Sequence, residues 1–416
     1  MNLESKQNRA RELALEILEE VFEERAYSNI ALNKALKQST LSSADKSLVT
    51  ELVYGTVARK ITLEWQLAHW VEDRDKLDAW LYILLELSLY QMLYLDKIPQ
   101  HAVVNEAVEV AKGRKRGSEK YVNAILRKIE REGAADPTTI KRKNKRYSVQ
   151  YSLPVWLVKV LIDEYGEERA EAIFASLFER NKASIRVTDV ARKEEIKAVL
   201  GADDSLLAPS ALVKKQGHFA GHEFFEKGLI TIQDESSQLV APTLQIEGHE
   251  QILDACSAPG GKAVHMASYL TSGQITALDL YDHKLNLIRQ NAERLGLADK
   301  ITTKKLDATK VFETFGPNAF DKILVDAPCS GIGLIRRKPD IKYNKENADF
   351  ENLQKIQLDI LDSVCQSLRK GGIITYSTCT IVSAENFEVV KKFLERHPNF
   401  EQVRLEHERE DIVKDG

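Results

Sequence analysis

The chain has 416 residues, 43% of them hydrophobic and 29% charged, with a formal net charge of −4. That length admits two or three domains with a substantial core, and the balance excludes a disordered chain. The longest apolar run, WLYILLELSLYQMLYL, is interrupted by Glu86 and Gln91 and is not read as a membrane span.

The N-terminal MNLESKQNRARELALE lacks the apolar core of a signal peptide. Leu13, Ala14, Ile17, Leu18, Val21 and Phe22 then recur at three- and four-residue steps, one face of a helix. Further helices are predicted in ADKSLVTELVYGTVARKITLEWQLAHWV, LDAWLYILLELSLYQMLYL and AVVNEAVEVAKG, with Pro99 separating the last two. The net charge hides an asymmetry: Lys112 to Arg146 holds 13 Lys or Arg against 4 Asp or Glu. These basic runs flank a helix-like YVNAILRKIER. A solvated face explains most such runs, while the interspersed Tyr121 and Tyr147 add aromatic rings able to stack on bases.

REGAADPTTIKRKNKRYS reads as a linker by its Gly, Pro and charge. PVWLVKVLIDEYG and EERAEAIFASLFER suit helices, and ASIRVT and GLITIQ suit strands. The expected division is an all-helical domain over 1–140, a linker with a small α/β subdomain over 141–233, and an α/β domain over 234–416.

From Asp234 the strands QILDA, QITALDL, ITTKKLD, DKILVDA and GGIITYST alternate with helices such as HKLNLIRQNAERLG and ENLQKIQLDILDSVCQSLRKG. Alternation of this kind predicts a doubly wound, mostly parallel sheet covered on both faces. Ligands of such sheets bind beyond the strand C-termini. Asp254, Asp279, Asp307, Asp326 and Cys379 fall there.

The loop DACSAPGGKAVHMA permits close backbone approach and opens a helix. With Cys256 and Ala263 where a phosphate loop needs Gly and Ser or Thr, it is neither that loop nor a GxGxxG fingerprint. Asp279 suits a ribose diol and Asp307 an adenine amino group, so a nucleoside-bearing cofactor is expected, NAD and S-adenosylmethionine remaining open at this point. Cys256, Cys329, Cys365 and Cys379 contain no CxxC pair, which argues against a zinc site and a disulfide framework and fits a reducing cytoplasm. Cys365, among Leu358, Leu361 and Leu368, reads as core packing, and His265 as structural.

DACSAPGGK, DAPCSGIG and YSTCT, in this order on this strand pattern, resemble the cytosine-C5 RNA methyltransferases. With the helical N-terminus the whole chain resembles the RsmB (Sun, Fmu) family acting on 16S ribosomal RNA. ELVYGTVARK and IPQHAVVNEAVEVAK resemble the RNA-binding factor NusB. The resemblance implies a NusB-like RNA-binding domain, a Rossmann-like class I methyltransferase domain, and methylation at C5 of cytosine 967. It implies S-adenosylmethionine held by Cys256, Ser257, Ala258, Pro259, Gly260, Gly261, Lys262, Asp279, Asp307 and Asp326. It assigns attack on C6 to Cys379, product release to Cys329 and a base contact to Asp326. A cytoplasmic monomer without metal or membrane is expected. The family usually closes its sheet with a terminal hairpin carrying a Gly-Phe-Phe-like run, which LEHEREDIVKDG lacks.

The residue types fit that chemistry independently. C5 of an intact cytosine is a poor nucleophile, and thiolate addition at C6 makes it enamine-like. Cysteine reaches its thiolate near pH 7 more readily than a hydroxyl reaches an alkoxide. A base must then take the C5 proton before the thiolate leaves, so two cysteines can divide the work. A non-catalytic ribosome-assembly factor would not need both. An amino-group methyltransferase would carry Asp/Asn-Pro-Pro-aromatic where this chain has Asp-Ala-Pro-Cys.

Overall fold

The computed structural model describes residues 3–215, 217, 219–407 and 409. Their contacts form two compact units: one runs to Glu179 and takes in Ile332–Asn347, the other spans Arg180–Gly331 and continues from Ala348.

The first unit is helical: α1 (Leu3–Phe22), α2 (Ser28–Gln38), α3 (Ser43–Leu67), α4 (Ala79–Tyr94), α5 (Gln100–Arg114), α6 (Ser118–Glu132), α7 (Lys143–Tyr151), α8 (Val155–Tyr165) and α9 (Glu167–Ser176). The predicted stripe of α1 is buried at Ala14, Ile17, Leu18 and Val21. Helix α4 is buried continuously from Leu81 to Met92, which explains why its apolar residues surround it rather than forming a stripe. The two polar residues that interrupt the run are therefore interior. Gln91 accepts from Arg11 Nε at 2.8 Å, and Glu86 lies 3.6 Å from Lys60 Nζ. Gly55 on α3 permits the close approach of α4, since a Cβ there would lie 2.0 Å from the Tyr90 ring.

Burial raises the Glu86 carboxyl from 4.5 to about 7, with Glu64 adding repulsion against the pull of Lys60. The folded state thus holds a proton that the unfolded state has lost between about pH 4.5 and 7, so stability falls as pH rises through that window. Replacing Glu86 by Gln is expected to stabilise the protein at pH 8 by on the order of 2–3 kcal/mol and to change little at pH 4.5. Urea midpoints at the two pH values test this; an equal offset at both would remove the titration from the account.

Helices α7 to α9, expected with the small α/β subdomain, belong to the helical unit. Tyr147 and Tyr151 pack on Phe174 and donate to Glu167 and Glu171, each at 2.9 Å. Thr62 Oγ1 on α3 donates to the Val149 carbonyl at 2.6 Å, and the Ile61 N–H donates to Ser152 Oγ at 3.0 Å. The last third of the predicted linker, 143–148, is accordingly ordered within α7. Residues 332–347 join the same core. The Ser28 hydroxyl donates to Asp340, the buried Lys342 Nζ donates to the Ala58 carbonyl at 2.7 Å, and Tyr343 Oη donates to the Val57 carbonyl at 2.7 Å.

The second unit opens with β1 (Ala183–Val187), α10 (Lys193–Leu200), β2 (Asp203–Asp204), β3 (Ala211–Lys214), α11 (Glu223–Glu226) and β4 (Ile230–Ile232). The strands form an antiparallel sheet in the order β2-β3-β1-β4. The two predicted strands are β1 and β4. Strands β2 and β3 were not anticipated; β2, of two residues, is too short for an alternating pattern to reveal.

After α12 (Glu235–Gln238) come β5 (Gln251–Asp254), α13 (Gly261–Ala267), β6 (Gln274–Asp279), α14 (Asp282–Arg294), β7 (Ile301–Lys305), α15 (Val311–Phe315), β8 (Phe320–Asp326), α16 (Ala348–Val364), β9 (Leu368–Ser377) and α17 (Phe387–Arg396). The five strands are all parallel, in the order β7-β6-β5-β8-β9. Alternation along each strand feeds two cores. Leu253, Leu278, Ile323 and Val325 meet Leu358, Leu361 and Phe393, while Ile252, Ile275, Ala277 and Leu324 meet Val264, Met266, Leu285 and Ile288. The helix predicted through LRKG stops earlier: Cys365–Ser367 is a 3₁₀ turn, and Leu368 already pairs with Phe320. Most of LEHEREDIVKDG, the stretch in which the family's terminal hairpin run was not found, lies outside the described residues.

Candidate active site

The strand order reverses at β5 and β8, where a parallel sheet opens a crevice beyond its C-terminal edge. Asp254, Asp279 and Asp326 end β5, β6 and β8, while Asp307 and Cys379 lie two residues beyond β7 and β9. The loop from β5 turns at Gly260 with φ +96°, where a Cβ would also press on Ile288 at 3.1 Å. At Gly261, which opens α13, a Cβ would meet nothing within 4 Å. The backbone here leaves room for a ligand.

The charges around that space are acidic. Burial pushes the Cys256 thiol well above its ordinary value, and Asp254, Asp326, Asp279 and Asp307 all push it further. Four carboxylates thus converge on one loop. Asp254 is 1% exposed and its acid is raised to about 7, chiefly by burial. Lys262 is a cation among them, its Nζ 2.7 Å from Asp326 Oδ2. A pyrophosphate would be repelled here, whereas a sulfonium or ammonium cation would be attracted. Asp279 Oδ1 accepts from the Tyr281 N–H at 3.1 Å, leaving its second oxygen for a ribose diol. Asp307 Oδ1 accepts from both the N–H and the hydroxyl of Thr309, which fixes its carboxylate at the strand end. These residues fit S-adenosylmethionine and do not fit a dinucleotide.

Cys329 and Cys379, fifty residues apart in sequence, have their sulfurs 3.1 Å apart. Cys379 is exposed and Cys329 half-buried. The hydrogen bond with Cys379 is the largest influence on the Cys329 thiol, and with burial it holds the group well above its ordinary value. Against this, the Cys379 N–H approaches Cys329 Sγ at 3.3 Å. Either sulfur can be the donor of their mutual contact. Asp326, 30% exposed, stands at the end of β8 beside this pair in sequence, and its Oδ1 accepts from Ser377 Oγ at 2.8 Å.

Several residues that lock the two cysteine loops together were not found from sequence. Buried Glu385 accepts from the Ser330 N–H at 2.8 Å and from Gln357 Nε2 at 3.2 Å. Gln357 also donates to the Pro328 carbonyl at 3.0 Å. The Ser330 and Thr380 hydroxyls meet at 3.0 Å, and Tyr376 Oη donates to the Glu385 carbonyl at 2.6 Å. A Glu within an exposed-looking SAEN carries no local signal of this role. Ser377, next to the TC pair, was the most accessible of them by its position at a strand end.

Other expected features lie apart from this cluster. Cys365 packs in the core beside α16, its thiol raised to about 11 by burial. His265 is buried and held neutral, lowered to about 3 by burial with Arg186 nearby, and its Nε2 lies 3.1 Å from Tyr269 Oη. Tyr147 is not available to stack on bases: it is 6% exposed and its hydroxyl is engaged by Glu167. Within the basic tract, Arg114 pairs with Glu19 and Lys115 with Asp78. Among the described residues, Lys112, Arg116, Lys120, Lys128, Lys141, Arg142 and Lys145 make no ion pair, and Arg142, Lys143, Asn144, Lys145 and Val155 line an open cleft of about 570 Å³. No group of three His, Cys, Asp or Glu among these residues is placed to hold a metal ion, and none of the helices is long and apolar enough to cross a membrane.

Comparison with known proteins agrees with this geometry. A family model described as 16S rRNA methyltransferase RsmB/F matches residues 241–416, and the NusB family model matches residues 8–131. The probable ribosomal RNA small subunit methyltransferase B of Bacillus subtilis is 43% identical, covering 99% of this chain and 95% of that protein. The ribosomal RNA small subunit methyltransferase B of Serratia proteamaculans is 32% identical over 90% of this chain and 87% of its own length. The crystal structure of PH0851 matches with a TM-score of 0.82 at 25% identity, covering 98% of this chain and 93% of that one. With a NusB-type helical region, a parallel methyltransferase sheet and identity of this extent, the chain belongs to the ribosomal RNA small subunit methyltransferase B family.

Proposed function

We propose that this methyltransferase acts at C5 of a cytosine in 16S ribosomal RNA, at position 967 as the resemblance implies, in the cytoplasm. The observation that carries the reading is the 3.1 Å approach of Cys329 and Cys379 at the ends of adjacent strands of the sheet that also carries the four carboxylates. When bound, S-adenosylmethionine supplies an electrophilic methyl group. Asp279 and Asp307 orient its nucleoside, and the carboxylates around Cys256 hold its positive charge.

The target base flips out to reach the two sulfurs, at a cost of a few kcal/mol and less if it lies in a loop. Cys379 adds to C6 as the thiolate. Asp326 contacts the cytosine edge near N3, and negative charge that builds there is met by Lys262 Nζ, which donates to Asp326 Oδ2 at 2.7 Å. After C5 is methylated, Cys329 as the thiolate takes the C5 proton; the C5–H pair forms the C5–C6 double bond, the C6–S bond breaks and its electron pair returns to Cys379.

Methylation at C5 expels the C5 hydrogen, whereas methylation at an amino nitrogen or a ribose leaves it in place. With small-subunit RNA tritiated at cytosine C5, tritium release is expected to match methyl incorporation one for one. Methyl incorporation without release would overturn the assignment to C5. A non-catalytic assembly factor would give neither signal, and it would not need two cysteines held together by Glu385 and Gln357.

The helical unit is proposed to contact RNA phosphates through its unpaired cations. Each such contact contributes roughly 0.7–0.9 to the slope of log affinity against log salt. Replacing Arg116, Lys141, Arg142 and Lys145 by alanine is expected to flatten that slope. Replacing Arg114 and Lys115, already neutralised by Glu19 and Asp78, is expected to change it less. Filter binding over a salt series measures both; an unchanged slope in the first variant would leave the tract as a solvated face.

A further inference from the structure

We infer that Cys329 and Cys379 also form a redox-sensitive vicinal dithiol, which peroxide converts to an intramolecular disulfide that reversibly switches methyl transfer off. The inference rests on the approach of the two sulfurs and holds whichever of them attacks RNA.

All four cysteines are free thiols, and only this pair has sulfurs in contact, at 3.1 Å. A disulfide requires an S–S separation near 2.05 Å, so closure needs about 1 Å of movement. The surrounding loops hold the partners together without sealing them. Ser330 is tied to both Glu385 and Thr380 immediately after Cys329, Gln357 grips the Pro328 carbonyl immediately before it, and Asn386 Nδ2 donates to the Thr380 carbonyl at 3.1 Å. Cys379 is exposed and open to a small oxidant, whereas Cys365 is buried and Cys256 lies in the carboxylate-lined loop, where a thiolate is disfavoured.

The step balances with a hydroperoxide as oxidant. The Cys379 thiolate attacks one peroxide oxygen, the O–O bond breaks, and the departing hydroxide takes a proton to become water. Cys379 is then a sulfenic acid. Cys329 sulfur attacks it, the S–O bond breaks, and the hydroxyl leaves as a second water with the proton from Cys329. Two thiols lose two electrons and two protons, and one peroxide becomes two waters. A dithiol reductant reverses the change by exchange at the same sulfurs. In the disulfide neither sulfur can add to C6 or serve release, while Cys256–Lys262, Asp279 and Asp307 remain able to hold the cofactor.

The test treats the full-length reduced protein with hydrogen peroxide, traps remaining thiols with N-ethylmaleimide, and maps peptides by mass spectrometry. The expected result is loss of two of the four titratable thiols, a Cys329–Cys379 cross-linked peptide, and methyltransferase activity that falls in proportion to the cross-linked fraction. Dithiothreitol should restore the thiols and the activity together, and calorimetric binding of S-adenosylmethionine should be the same before and after oxidation. In Cys329→Ser, peroxide should instead drive Cys379 to the sulfinic acid, which dithiothreitol does not reverse. Four thiols persisting after treatment, or a wild-type protein whose Cys379 becomes sulfinic without cross-linking, would overturn the inference. The thiol and mass readouts need no RNA, so they stand apart from any failure of the proposed cytosine specificity.

Discussion

Cys329→Ala is expected to trap the enzyme on its RNA, whereas Cys379→Ala is expected to form no adduct at all. The asymmetry follows from reaction order. The C6–S bond forms before the methyl moves, and the step that needs Cys329 comes after both. Without Cys329 the methylated base keeps its C5 proton and stays bonded to Cys379. Without Cys379 no bond forms, and methylation should fall to background. The sulfurs are close enough, at 3.1 Å, for one base to meet both. A denaturing gel with labelled RNA and cofactor separates the cases. A shifted band for Cys379→Ala and none for Cys329→Ala would exchange the two roles.

Cofactor affinity should depend most on Asp279. Its side chain is only 10% exposed, one oxygen is occupied by the Tyr281 N–H, and the other is placed for a ribose diol. Hydrogen bonds to a charged group contribute about 1.5–3 kcal/mol each, so losing two should weaken S-adenosylmethionine by on the order of a hundredfold or more. Calorimetry on folded Asp279→Ala should show this loss. Asp279→Asn keeps a single uncharged acceptor and should fall between the two. An alanine variant that folds and binds with wild-type affinity would remove Asp279 from the ribose site.

The carboxylate cradle was legible in the sequence because a parallel sheet gathers its strand ends, so Asp254, Asp279, Asp307 and Asp326 could be placed before any coordinates. The cysteine pair was legible in kind for the same reason: β8 and β9 are neighbours, and their exits carry DAPCSG and STCT. What holds the pair was not. Glu385 and Gln357 reach Ser330 and Pro328 across sequence separations of 55 and 29 residues, and only tertiary folding brings them there. The same limit hid the course of residues 332–347, because the apolar surroundings of Lys342 are supplied by other helices. Helices α8 and α9 were recognised as helices but grouped with the α/β subdomain, and α7 lay largely in the predicted linker, since the partners of Tyr147, Tyr151 and Thr62 leave no local pattern. The basic tract was visible as charge, yet Glu19 and Asp78 neutralise part of it from distant positions.

The central claim, cytosine-C5 methylation of 16S ribosomal RNA by the Cys379 site, is tested most directly by mapping 5-methylcytosine in that RNA from cells with the protein, without it, and with only Cys379→Ala. The account predicts one modified cytosine that is present with the wild-type chain and absent in both other strains. An unchanged 5-methylcytosine map in the strain lacking the protein, or restoration of the mark by Cys379→Ala, would contradict it.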